Sequence, residues 1–512
     1  MLSYISLKVY TNFGTLPAEK IATQFDAAII AGDLVALEEH INEALTLAES
    51  EDVISKATIY YCLGTAYGEI DSIGGTNTED SLKKQIYFFR KSITLLEMVG
   101  CNTSDFSLHV KTYTTNAYIN YGNVLCRCGR IIAAIAQYKK ALEIQPTFGM
   151  ALGNLGKAYM DYSLMEFDPG HQEYFHHFSY AYFQRALECT DPNTYPEART
   201  FFADQTAQYR PEYIESFLSK ELSIPQFNIR GKKECAYREW AIENNLFLNT
   251  LNDLPLAELC FACDVLQLPG MVVSLDAKPI FHGMFNQIKQ EYVFARYQYY
   301  SALQESSKPH FADRDTHLIN FADYPQYGMR IEQLKSSFKT LFGLLDKMAY
   351  FLNSYFDLGI KERDVSFSSI WKSEHGGGKH HYIYKNTLNH HDNFALSSLY
   401  WISRDLYDSF EDSPNPQLER IKKVRHALEH KYVKITKGWF PDRENGEIDD
   451  LALYVNEKEL YDLTMQLMHI VREAIICLSL CVHAEEQFRQ KENGDKPVMP
   501  IPFMEYDDNW KI

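Results

Sequence analysis

The feature that most constrains this chain is a spacing. Tyr118, Tyr121, Gly122 and Leu125 are followed by Gly129, Ala134, Tyr138, Ala141 and Pro146, and Leu152, Leu155, Gly156 and Tyr159 restart the set 34 residues on. Fixed self-similarity at that period is the signature of a stacked two-helix repeat. Small residues at Gly122, Ala134 and Ala141 let two antiparallel helices approach closely, larger ones fill between them, and Pro146 stops the second helix.

The unit from Thr115 resembles a tetratricopeptide (TPR) repeat at nearly every diagnostic position. The second unit is interrupted by an apparent insertion around Phe167 to His176 and resumes with Phe183 and Ala186. Upstream, Tyr60, Leu63, Gly64 and Tyr67 form a first helix, with Phe89 and Ser92 in the second, and Gly32, Leu37 and Ala44 belong to a degenerate first repeat. Residues from about 20 to 215 therefore read as a solenoid of roughly four helix pairs, whose concave face suits a protein or peptide. The sequence leaves two roles open for it: a scaffolding or dimerisation platform, or a sensor that receives a trigger.

Composition sets outer bounds. Hydrophobic residues make up 46% and charged residues 23%, so the chain can bury real cores. A net charge of -18 argues against a protein coated by nucleic acid along its length, so any RNA contact must be local. MLSYISLKVY lacks the basic start and apolar run of a secretory signal, and AIICLSLCV is far short of the roughly 20 residues of a membrane span. The expectation is a cytoplasmic protein with no membrane contact. Ten scattered cysteines fit reduced thiols, and Cys260 and Cys263, a lone CxxC, read as buried on one helical face.

After Ser223-Ile224-Pro225 the period disappears. Long stretches with apolar spacing near 3.6 follow, around residues 328 to 358, 392 to 410, 416 to 434 and 456 to 490, and four such helices make a bundle. On the first of them Glu332, Lys335, Lys339, Asp346, Lys347 and Asn353 read mostly as solvated charges or ion pairs. The loop SEHGGGKHHYIYKNTLNHHDN holds His375, His380, His381, His390 and His391. Adjacent His pairs diverge, and no acidic or Cys partner completes a metal spacing, so the loop reads as a polar lid near a phosphate site; no metal or cofactor is assigned.

The most informative stretch is QLERIKKVRHALEHKYVKITKGW. Residues 420 to 437 hold seven Lys or Arg against one Glu, a local net charge of plus six in an acidic protein, enough to hold a few phosphates. Within it RHALEHKY carries Arg425, His426, His430 and Tyr432. This resembles the R-x4-6-H motif of HEPN ribonucleases, in which His426 fits the residue preferred after the Arg. YREWAIENNLFLNTLNDL, FNQIKQEYVFARYQYY and LDKMAYFLNSYF extend the resemblance over about 230 to 490, to a HEPN branch that follows TPR-type repeats. The resemblance implies an all-α protein, a TPR-like solenoid followed by a four- to five-helix bundle. It also implies the motif at the start of a helix, a homodimer whose two copies build one site, and an RNA substrate in toxin–antitoxin or anti-phage defence. In HEPN toxins with R-x4-H-x-Y the Tyr is a modification site, which makes Tyr432 a regulatory candidate.

The chemistry stands beside the family. Cleavage of RNA by its own 2'-OH needs a base, an acid and positive donors for a crowded phosphorane, and imidazole and guanidinium supply these without a metal. Arg425, His430 and His426 are the catalytic candidates; Lys422, Lys423, Lys431 and Lys434 are the phosphate-binding ones. Arg425 and His430 lie about 140° apart on an ideal helix, so one motif alone does not aim both at one atom. The competing reading pairs Arg425 with Glu429 at i,i+4 on a merely solvated helix, in a catalytically silent scaffold or ligand-sensing protein. The expected layout is a TPR-like domain over 1–218, a connecting helical segment packed on the C-terminal domain over 219–310, the HEPN bundle over 311–490 and an irregular tail over 491–512.

Overall fold

The computed structural model describes residues 17–511 apart from 76–77, 101–106, 191–193, 210–230, 273–277, 279, 305–307, 320–324, 374–380, 383–392, 408–415, 438–450 and 494–505. The protein is all-α, with two pairs of very short strands among the described residues.

Four antiparallel pairs form the solenoid: α1 (Pro17–Ala31) with α2 (Leu34–Ala48), α3 (Val53–Gly74) with α4 (Glu79–Val99), α5 (Ser107–Arg127) with α6 (Ile131–Ile144), and α7 (Gly149–Met165) with α8 (Pro169–Glu188). Asp33, Asp52, Thr78 and Asp168 cap four of these helices by accepting backbone N–H bonds that the first turn would leave unmade. Gly122 shows why the period carries a small residue there: a Cβ on it would lie 2.5 Å from the Tyr138 ring. The apparent insertion at 167–176 is no loop. Asp168 caps and Pro169 opens α8 there, so the residues lengthen that helix by about two turns. A ninth helix, α9 (Pro196–Ala207), closes the stack with Phe202 against Phe183, ring centroids 5.9 Å apart.

Beyond it, α10 (Lys232–Glu243) leads into an irregular stretch with two 3-10 turns, Thr250–Asp253 and Leu259–Phe261. Cys260 lies on the second turn and Cys263 two residues beyond its end, both half-buried and neither on an α-helical face, and the described cysteines are all free thiols. The stretch is pinned from within by Arg296, whose buried guanidinium binds both Asp264 oxygens at 2.9 and 2.7 Å and the Leu246 carbonyl at 2.8 Å.

The bundle follows: α11 (Ile280–Leu303), α12 (Met329–Tyr355), α13 (Phe394–Tyr407), α14 (Pro416–His430) and α15 (Glu457–Asn493). The central α15 packs on α11, α12, α13 and α14. By length and composition α15 is apolar enough to cross a membrane, yet 78% of its most apolar window is buried inside the protein, which makes it the core helix of the bundle. Residues 431–434, expected to continue α14, instead enter β3 (Tyr432–Thr436), which pairs in parallel with β4 (Ala452–Asn456). The β-branched Val433, Ile435 and Thr436 favour that extended path. Strands β1 (Lys372–Ser373) and β2 (His381–Tyr382) pair antiparallel. His381 therefore sits on a strand, whereas His375, His380, His390 and His391 lie outside the described residues, as does the chain around the expected boundary near 220.

The two halves meet along a buried polar seam. Asp405 of α13 accepts Arg90 Nη1 and Nη2 of α4 at 3.0 and 2.6 Å, and also accepts Arg130 at the start of α6. Arg130 goes on to Glu473 of α15, at 3.1 and 2.7 Å. Burial alone would raise the Asp405 carboxyl, but the Arg90 and Arg130 guanidiniums outweigh it and hold the group ionised, below its usual range. Alongside, Arg472 Nη1 binds Asp253 Oδ1 at 2.7 Å, and Tyr162 of α7 donates to Asp253 Oδ2 at 3.1 Å, so the irregular stretch is wedged between repeats and bundle.

Gly129 sits in this seam with φ +79°, and a Cβ there would run into the Phe394 carbonyl oxygen where α13 begins. Ser397 donates to the Cys128 carbonyl beside it at 3.0 Å. Gly129→Ala combines left-handed strain with that clash and should cost about 2–4 kcal/mol. Gly283→Ala, in α11 with open space at its Cβ, should lose nothing. Urea unfolding of both variants checks the contrast.

Candidate functional site

Helix α14 faces the core with Leu418, Ile421, Val424 and Ala427, leaving Lys422, His426 and His430 on one stripe at i,i+4 spacing. It ends at His430, where the Lys431 amide bonds the Ala427 carbonyl at 2.9 Å. The chain then turns into β3, and β4 runs straight into α15 at Glu457, so the strand pair fixes the end of α14 against the start of the core helix. Arg420 reinforces the junction, binding Glu459 at 2.6 Å and the Tyr454 carbonyl at 2.8 Å. The motif thus lies at the C-terminal end of its helix, not at a start as the resemblance implied.

Arg425 leans on α12, its guanidinium carbon 4.9 Å from the centre of the Phe342 ring. Its Nε lies 2.9 Å from Glu429 Oε2, an ion pair whose direction makes no hydrogen bond, so Nε–H has none among the described residues. The same Glu429 oxygen is 3.6 Å from His430 Nε2. His426 and His430 face each other with ring centroids 5.3 Å apart. Long side chains thereby overcome the angle between positions 425 and 430: one carboxylate touches both groups. His430 is 60% exposed and Arg425 33%, so the cluster opens to solvent.

One turn after Phe342, Asp346 accepts the Phe367 amide at 3.0 Å. Burial raises its carboxyl above the usual range and Glu429 adds to the effect, while the Phe367 amide and Arg425 oppose it. Two acidic groups therefore flank Arg425. Neither Glu429 as a bridging group nor Phe342 as the platform stood among the sequence candidates. The i,i+4 relation of Phe342 to Asp346 places both toward α14, but only packing shows it.

The basic candidates divide. Lys422 is half-buried on the His stripe, Lys423 is exposed and pairs with Glu419 at 2.7 Å, and Lys431 is exposed at the helix end. Lys434 is 6% exposed, with its ammonium 5.2 and 5.5 Å from the rings of Tyr432 and Tyr454 and 3.5 Å from the Tyr454 hydroxyl. Tyr432 is 45% exposed. The structure thus brings Arg425, His426 and His430 together around Glu429, leaves Lys431 exposed at the helix end and sets Lys434 into the strand layer.

Solenoid and bundle together define a protein in which a helical-repeat half is joined to a helical-bundle domain. Residues 272–485 match the LA2681-like HEPN family and residues 122–161 match a TPR repeat, so the chain carries an LA2681-like HEPN domain behind TPR repeats. A HEPN domain suggests a nuclease or RNA-related role. The family match begins ahead of α11, which therefore falls within it. No curated protein and no solved structure matches the chain.

The division among the lysines is measurable. Lys434→Ala should destabilise the protein by about 1–3 kcal/mol in urea unfolding, because a buried cation packed between two rings is lost. Lys423→Ala, at an exposed i,i+4 pair, should change it by less than about 0.5 kcal/mol.

Proposed function

We propose that this protein is a metal-independent endoribonuclease whose site is the exposed end of α14. The observation that carries the reading is the convergence of Arg425, His426 and His430 there, with Glu429 between them. Glu429 occupies the Nε side of the guanidinium and the Phe342 ring supports its face, which leaves the two terminal nitrogens for a phosphate in fork geometry.

In the proposed reaction the RNA 2'-oxygen bonds to the adjacent phosphorus as the bond to the 5'-oxygen breaks, giving a 2',3'-cyclic phosphate and a 5'-hydroxyl. One imidazole takes the 2'-OH proton and another returns a proton to the leaving oxygen; His430 and His426 are those groups, and Arg425 holds charge on the phosphoryl oxygens. Each protomer supplies one such set on one helix, and a homodimer would place two sets across a two-fold cleft. Lys422, Lys423 and Lys431 extend the positive surface for the flanking strand. The repeat half, packed on the bundle, is the regulatory part and takes a protein or peptide in its groove; Tyr432, partly exposed beside the site, is open to modification. The setting is cytoplasmic, in toxin–antitoxin or anti-phage defence.

One observation favours a second reading: Arg425 is ion-paired with Glu429, as in a helix that only solvates its charges. A catalytically silent HEPN–TPR scaffold would look the same there.

Purified protein incubated with total RNA and tRNA in EDTA separates the two. The ribonuclease reading predicts cyclic-phosphate ends from wild type and a loss of at least about 10²-fold in rate for His430→Ala and Arg425→Ala, with helical content retained. Expression of wild type, but of neither variant, should arrest growth. Equal cleavage by wild type and both variants, or none by any with no growth arrest, supports the scaffold.

A further inference from the structure

Glu429 stands in the wrong place for a residue that only steadies its helix. It lies in the last turn of α14, where the helix dipole disfavours a carboxylate. It is also C-terminal to its partner Arg425, the weaker of the two orders for an i,i+4 ion pair. Glu419 and Lys423 on the same helix have the favourable order, with the acid four residues ahead of the base. What Glu429 does have is position. One of its oxygens is 2.9 Å from Arg425 Nε and 3.6 Å from His430 Nε2, the two groups that would grip a phosphoryl group.

We propose that Glu429 is a built-in competitor for that phosphoryl group: its carboxylate stands in for phosphoryl oxygens, restrains the resting site, and must swing aside before Arg425 and His430 engage an RNA phosphate. The inference deepens the ribonuclease reading and rests on it for what happens to cleavage. The exchange of one anion for another does not need it.

Charge makes the exclusion, and geometry makes it reversible. A phosphate on the terminal nitrogens of Arg425 would lie beside Glu429, and two anions around one partly buried guanidinium repel each other. From α12, Phe342 covers a face of the guanidinium and the half-buried Asp346 acts on it with a second carboxyl, which leaves the exposed side, where Glu429 and His430 stand, as the approach. The hold is loose. Although the charges are close, Arg425 Nε–H makes no hydrogen bond among the described residues, because the carboxylate lies off the N–H direction. Arg90 with Asp405 is, by contrast, buried and bidentate. A phosphate with oxygens in line with the guanidinium donors gains directed, charge-assisted bonds that Glu429 does not make. Glu429 is itself exposed, so water receives its carboxylate once it is displaced. An ion-paired Arg425 is then the resting state of a site rather than a sign that there is none.

Diethyl pyrocarbonate labelling of the full chain in EDTA, read histidine by histidine by mass spectrometry, reports on this seat without RNA. Inorganic tripolyphosphate is the probe, titrated for its protection of His426 and His430. Glu429→Gln and Glu429→Ala are expected to lower the half-protecting concentration at least about tenfold from wild type, and Arg425→Gln to abolish protection. Glu43→Gln, in the repeat half, makes the same change of net charge and should behave as wild type. With total RNA, both Glu429 variants should cleave faster than wild type. Tighter tripolyphosphate binding with no cleavage by any variant supports the competitor while the ribonuclease reading fails. Unchanged or weaker protection in both Glu429 variants with helical content retained, an equal gain in Glu43→Gln, or cleavage slowed by Glu429→Gln would overturn it.

Discussion

Asp405 lies buried between two arginines of the repeat half, Arg90 and Arg130, and Arg130 continues to Glu473 in the core helix of the bundle. Four elements, two from the repeats and two from the bundle, are held by one hydrogen-bonded set of four charges. Such a set is not a large net source of stability, since each ion forfeits hydration on burial. Its force lies in the cost of breaking it: removing one member strands the others and costs about 3–5 kcal/mol. Slippage of repeats against bundle is therefore penalised in discrete steps, and Gly129 lets the backbones approach closely enough for the set to close.

The position of the candidate site follows from that constraint. Helix α15 carries Glu473 at the seam and begins at Glu457, next to β4, while β3 continues from the end of α14. The same core helix thus touches the repeats at one level and positions the end of α14 at another. Arg425 is oriented by Phe342 of α12, another neighbour of α15. A change in how the repeats sit on α13 and α15 has a short path of packed helices to the histidines. That is a physical connection between the repeat half and the proposed site.

Much of this was legible in the sequence, and the rest failed for identifiable reasons. Gly122 with Tyr138 and Gly156 with Phe183 announced the repeats because the close helix approach demands a small residue at a fixed distance from a large one. The bundle helices showed through their apolar period. The end of α14 did not, because Val433, Ile435 and Thr436 carry a strand preference that a count of apolar positions reads as more helix. Lys434 looked like a surface cation, since composition cannot reveal the two rings that enclose it. At the candidate site, the motif marked Arg425, His426 and His430, but the contact of Glu429 with both Arg425 and His430 depended on side-chain reach. The seam was invisible: Asp405 and Glu473 are ordinary acidic residues until the fold sets them against Arg90 and Arg130.

The central claim is that repeats and bundle are one mechanical unit closed by the Asp405 set. Scanning calorimetry of wild type and Asp405→Asn addresses it directly. One cooperative transition in wild type that separates into two in the variant, as the halves begin to unfold independently, is the predicted result. Two transitions already present in wild type, or a single one unchanged in the variant, would contradict the account.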